Sequence, residues 1–129
     1  MKELKMYYFY HMKVLVIGAS LKEERYSNKA IRMLNQFDHD VLALGLRTGI
    51  VDGTSIITKK QSFDSIDTVT LYLNASRQPE FFDYIIKLNP RRVIFNPGTE
   101  NPDLYLLLDK VNIKYEESCT LVLLQSGLF

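Results

Sequence analysis

Gly18, Ala19 and Ser20 close the apolar run Val14 to Ile17, and Lys22, Arg25, Ser27, Asn28 and Lys29 follow before the next apolar stripe begins. Small residues let a ligand come close to the backbone. Unpaired amides at a helix N-terminus point at an anion, with the helix dipole adding ~0.3–1 kcal/mol per anionic group. These residue types suit a phosphate cradle, and they equally describe an ordinary strand-to-helix turn with solvated cations. The turn is not a dinucleotide fingerprint: position 20 is serine, and the second strand ends in Leu44, Gly45, Leu46 and Arg47, with no acid to hold a ribose. Arg47 suits a phosphorylated ribose better than plain NAD, or else it is a solvent-exposed loop residue. No Gly-x-x-x-x-Gly-Lys-Ser/Thr run is present, which excludes a P-loop NTPase.

A second polar cluster, Asn96, Pro97, Gly98, Thr99, Glu100 and Asn101, stands where the strand Arg92 to Phe95 should end. Pro97 and Gly98 fix a tight turn, and the asparagines and Glu100 add side-chain hydrogen bonds. A plain helix start needs only Asn101 and Pro102, so the run is richer than turn chemistry requires. Asn74 ends the strand Thr68 to Leu73 and is a third rim group, or simply a turn residue. Acid–base catalysis has few candidates. His11 lies in an aromatic N-terminal stretch, His39 precedes the second strand at the far end, and Glu100 is the one rim carboxylate, or a cap of the next helix. The sequence assigns no catalytic residue and no metal ligand. Cys119, the single cysteine, precedes an apolar tail; facing a cofactor thiol it could exchange disulfides, and otherwise it is a buried inert thiol.

The elements that must position these groups follow from periodicity. β-branched apolar runs at Val14 to Ile17, Val41 to Leu44, Ile56 to Ile57, Thr68 to Leu73 and Arg92 to Phe95 alternate with helical stripes. Ala30, Met33, Leu34 and Phe37 give one helix, Pro79 to Leu88 a second, and Leu104, Leu107, Leu108 and Val111 a third, started by Asn101 and Pro102. A short strand near Ile113 to Tyr115 and a tail helix capped by Ser118 close the pattern. This predicts an α/β fold: a three-layer Rossmann-like sandwich on a mainly parallel five-stranded sheet, order 3-2-1-4-5, with residues 13–129 as one domain and residues 1–12 as an extension. A ligand crevice is then expected beyond the strand C-termini, beside Gly18 and Leu73.

The chain has 129 residues, 47% hydrophobic, enough for one core. Its net charge of +1 gives no bias towards nucleic acid or anionic lipid, so a bound anion must be held locally. One cysteine excludes an intramolecular disulfide and a four-cysteine zinc site. Without a long apolar run or signal-peptide pattern, the expectation is a soluble cytoplasmic protein, with a protein partner or a homo-oligomer left open.

The stretches KVLVIGAS (Lys13 to Ser20), RYSNKA (Arg25 to Ala30), IDTVTLYLN (Ile66 to Asn74), VIFNPGTEN (Val93 to Asn101) and CTLVLLQSGLF (Cys119 to Phe129) together resemble the small bacterial CoA-binding protein family, stand-alone relatives of the CoA-binding domain of succinyl-CoA synthetase. The resemblance spans nearly everything from Lys13 onward. It implies a Rossmann-like fold and a coenzyme A site at Gly18, Ala19, Ser20, Arg25, Ser27 and Asn28, with Asn74, Asn96, Pro97 and Gly98 along the rim. Family members usually carry Asn-Pro before a basic residue after the second strand, where this chain has Gly45 and Leu46 before Arg47. The family's catalytic relative uses a histidine from another domain, which this chain lacks. The expected function is therefore non-catalytic binding or sensing of coenzyme A or an acyl-CoA. The alternative is an NADP-dependent reductase or acyl-CoA-processing enzyme that needs a partner.

Overall fold

Leu15 and Ile17 belong to one apolar cluster and Val14 and Val16 to another, all four fully buried. Because successive side chains of a strand face opposite ways, this first strand must be covered on both sides, which a parallel sheet between helical layers achieves. The computed structural model describes residues 11–129 and has that architecture. Its strands are β1 Lys13–Ala19, β2 Asp40–Gly45, β3 Gly49–Val51, β4 Thr54–Ile57, β5 Thr68–Leu71, β6 Arg92–Phe95 and β7 Lys114–Glu117. The helices are α1 Tyr26–Gln36, α2 Phe82–Leu88, α3 Pro102–Lys110 and α4 Thr120–Ser126. Ile31, Leu34 and Leu124 place α1 and α4 on the face of Val14 and Val16. Ile85, Leu104 and Leu108 place α2 and α3 on the other.

The sheet has seven strands in the order β3-β4-β2-β1-β5-β6-β7 and corrects the expected five. The predicted core, order 3-2-1-4-5, corresponds to β4-β2-β1-β5-β6, all parallel. The sheet continues past this core on both sides, by the unexpected β3 and by β7, the short strand expected near Ile113 to Tyr115. Asp52 and Gly53, with φ of 49° and 81°, form a tight turn that folds β3 antiparallel onto β4, and β7 runs parallel beside β6. Asp-Gly between two short apolar runs is a hairpin signal that periodicity alone passes over.

Three local readings also shift. In α1 the fully buried residues are Ala30, Ile31 and Leu34, so the stripe is rotated away from Met33 and Phe37, which are only partly buried. Pro79 starts a 3-10 turn, Pro79–Phe81, that feeds α2. The N-cap of α4 is Cys119, not Ser118, and it makes no side-chain cap. Of the predicted extension, residues 1–10 lie outside the described residues. Met12 is tied to the body, its carbonyl accepting the Asp40 N–H at 2.9 Å and its N–H donating to His39 Nδ1 at 3.0 Å. Among the described residues no helix is long and apolar enough to cross a membrane.

Candidate binding crevice

The parallel strands β1, β2, β5 and β6 all end on one edge of the sheet, and the loops leaving them enclose a crevice of about 740 Å3. Gly18, Ala19 and Ser20 line it from β1; Gly45, Leu46 and Arg47 from β2; Tyr72, Leu73 and Asn74 from β5; Pro97 and Gly98 from β6. The two polar turns picked out from sequence therefore face one space. Open α/β sheets favour this position because connections diverge there to opposite faces.

Two glycines make the cradle. Gly18 has φ of +93° at a point where the β1–β2 register slips, and a Cβ there would lie 3.0 Å from the Tyr72 carbonyl carbon. Gly45 has ordinary φ, yet its missing Cβ would stand 2.4 Å from the Ala19 carbonyl oxygen. The end of β2 thus presses on the Gly18–Ser20 turn, and glycine at 45 is the residue that permits it.

The turn is held from inside. Ser20 Oγ accepts the Lys22 N–H at 3.1 Å. Asn28 donates from Nδ2 to the Ser20 carbonyl at 2.9 Å, and its Oδ1 accepts from Arg32 Nε at 2.8 Å. Asn28 is buried and is not among the lining residues, so it braces the cradle from behind. Ser27 is buried as well, but it does line the crevice. At the start of α1, Arg25 is the N-cap without a side-chain cap bond, and no acid stands in the first turn. By contrast, α3 is capped by Asn101, which accepts the Asp103 N–H at 3.2 Å, with Asp103 itself in the first turn. Unlike that of α3, the α1 terminus is left without a cap or a first-turn acid, which suits it to an exogenous anion.

The opposite rim is a buried polar lattice. Asn96 Nδ2 donates to Thr70 Oγ1 at 2.7 Å and to the Leu71 carbonyl at 2.8 Å, while Oδ1 accepts the Thr120 N–H at 2.9 Å. Asn96 therefore ties β5, β6 and the first turn of α4 together and, like Asn28, is not among the lining residues. Gln78, fully buried, donates to the carbonyls of Leu73 at 2.8 Å and Thr99 at 2.7 Å and accepts from Asn101 Nδ2 at 2.9 Å. It locks the end of β5 to the Asn-Pro-Gly turn. Gly98 turns with φ of +92°, and its N–H is taken by Glu100 Oε1 at 2.9 Å, so Glu100 braces this turn and does not cap α3. Asn74 Oδ1 accepts from Ser76 Oγ at 2.6 Å at the mouth.

Five cations, Lys22, Arg25, Arg47, Lys60 and Arg77, line the crevice against one carboxylate, Glu80. None of the five is in an ion pair among the described residues. Lys60 reaches across to the Glu80 carbonyl and lies 4.8 Å from the Phe81 ring centre. Lys60, Arg77, Gln78 and Tyr72 were not picked out from sequence. Arg77 was findable, since it follows Asn74 at a strand end. Lys60 and Gln78 act through partners distant in the chain. Tyr72 Oη is buried with no hydrogen-bond partner; burial, only partly offset by the nearby Thr120 and Thr70 hydroxyls, pushes it up to about 12. Cys119 is half-buried and not among the lining residues, so the structure does not bring its thiol to the crevice. His39 sits at the other end of the sheet.

A family model described as CoA binding domain matches residues 12–125. Among solved structures, a crystal structure of an uncharacterized protein is 39% identical with a TM-score of 0.90, covering 92% of this chain and 98% of its own. A hypothetical protein from Pyrococcus horikoshii OT3 is 22% identical with a TM-score of 0.81, covering 98% and 90%. The cell-free ID.343 protein from Thermus thermophilus is 18% identical with a TM-score of 0.82, covering 99% and 98%. The last two are similar in fold. Comparison with curated proteins finds no match.

Proposed function

We propose, from the premise that the chain belongs to the CoA binding domain family, that it holds coenzyme A or an acyl-CoA in this crevice and makes or breaks no bond of it. The observation that carries the proposal is the meeting of an uncapped α1 terminus, a glycine-built turn and five cations in one space. An anion there gains amide donors, the α1 dipole and flanking charge together.

The same groups give the ligand a direction. The diphosphate belongs at Gly18, Ala19 and Ser20 with Arg25 and Ser27, and Arg47 beyond β2 suits the ribose phosphate. The Pro97–Gly98 side suits the uncharged pantetheine arm with Asn74, because the Gly98 amide is already taken and the Glu100 carboxylate repels phosphate. Bound there, coenzyme A would supply a thiol able to carry an acyl group. The lining includes no histidine or cysteine, and the Tyr72 hydroxyl stays protonated far above neutral pH. This supports a carrier or sensor over an acid–base catalyst.

Thermal-shift titration with coenzyme A, acetyl-CoA, NAD and NADP tests it. A ligand of the native state stabilises by about 2.7 kcal/mol at a hundredfold excess over Kd. Coenzyme A and acetyl-CoA should raise Tm while NAD does not. Stabilisation by NADP and not by coenzyme A would overturn the proposal in favour of a reductase.

A further inference from the structure

Towards the N-terminal end of β2 the sheet opens. β4 pairs with β2 only at Ala43 and Leu44, whereas its first residues, Thr54 and Ser55, pair with β3. The two strands splay apart around a wedge of about 460 Å3, a volume in the range of ligand sites. Asp40 to Ala43 line it from one strand, Asp52 to Ser55 from the other, and Phe63 also lines it.

Three properties of this wedge are independent of the nucleotide crevice. The first is main-chain bonding. The Asp40 N–H donates to the Met12 carbonyl at 2.9 Å on the β1 side. Alternate residues of a strand turn their polar groups to opposite edges, so the Val41 N–H and carbonyl face the wedge, where no strand pairs with them among the described residues. The second is charge. Asp40 and Asp52 are lining residues, no lysine or arginine is, and neither carboxylate is in an ion pair among the described residues. The third is apolar surface, since Val41, Leu42, Ile57 and Phe63 are only half-buried. A free strand edge calls for a main chain, the carboxylates call for a cation, and the half-buried side chains call for alternating apolar partners. A nucleotide phosphate would meet the wrong charge.

We propose that the wedge between β2 and β4 takes the tip of an extended cationic segment of a partner protein, which adds a short strand at Val41. The test uses the 15N-labelled full chain and a capped peptide alternating lysine and valine. Two controls are the same peptide with glutamate in place of lysine and one N-methylated at alternate residues. The lysine–valine peptide should shift the amides of Val41, Leu42 and Thr54, and both controls should bind at least several-fold more weakly. Asp40→Asn combined with Asp52→Asn, both on exposed side chains, should weaken binding about three- to tenfold. Equal binding of the glutamate peptide, no shift with the lysine peptide, or a Val41 amide already protected from solvent exchange without peptide would each overturn the proposal. The last would show that the chain covers this edge itself.

Discussion

Asn96 offers the sharpest test of the reasoning, because its residue type reads as a ligand contact and its geometry reads as a brace. Replacing it with alanine removes three buried hydrogen bonds of 2.7, 2.8 and 2.9 Å. The Thr70 hydroxyl keeps the Thr120 hydroxyl as a partner at 2.8 Å, so two groups are left bare: the Leu71 carbonyl and the Thr120 N–H. Each buried unsatisfied group costs ~1–3 kcal/mol. Asn96→Ala should therefore lose about 3 kcal/mol, and Tm should fall by on the order of 10 °C for a domain of this size. Urea unfolding followed by circular dichroism measures it, with the slope m unchanged, because the fold and the area exposed on unfolding stay the same. A loss below about 1 kcal/mol would refute the brace, as would a variant of full stability that has lost only its response to coenzyme A.

Gly45→Ala drives a Cβ to 2.4 Å from the Ala19 carbonyl oxygen; it should cost ~1–3 kcal/mol as an overpacked site and blunt the thermal shift with coenzyme A, and an unchanged shift would separate β2 from the cradle. Gly98→Ala meets no atom within 4 Å, so its cost is conformational alone, about 1–2 kcal/mol from the positive φ, and a neutral result in urea unfolding would count against the turn geometry. For His39, burial first, then the charges of His11 and Arg92, hold the imidazole below its ordinary 6.5, while Nδ1 accepts the Met12 N–H. The folded state thus favours the neutral ring, so His39 contributes stability above about pH 6.5 that is lost as pH falls through its depressed folded value. Unfolding curves from pH 7.5 to 5 should show the wild type losing stability that His39→Asn does not lose, and parallel curves would contradict this.

The parallel core was legible because its strands are buried on both faces. Val14 to Ile17 or Val93 to Phe95, apolar throughout, fits only a covered sheet. At the edges, the strand that became β7 was legible near Ile113 to Tyr115 but its place in the sheet was not, and β3 was missed because it is short and half-exposed and its identity lies in the Asp52–Gly53 turn. The crevice was legible to the extent that chemistry sits beside small residues, as at Gly18, Ser20, Pro97 and Gly98. Asn28 and Asn96 show where that reading stops. An amide suits a ligand or a carbonyl equally, and only the fold puts the Ser20 carbonyl beside one and the Leu71 carbonyl beside the other. Gln78 carried no local signal, because its partners Leu73, Thr99 and Asn101 converge on it only after β5 and β6 pair. Gly45 was visible only as a departure from an Asn-Pro pair; its function is a close approach to Ala19, a distance that no spacing in the chain encodes.

An amide-resolved titration of the full chain with coenzyme A asks whether the two turns serve one ligand. The signals of Ala19, Ser20 and Gly98 should move together along a single saturation curve, with His39 and Val41 unmoved. Shifts confined to the His39 end, or turns that respond at different concentrations, would contradict the account.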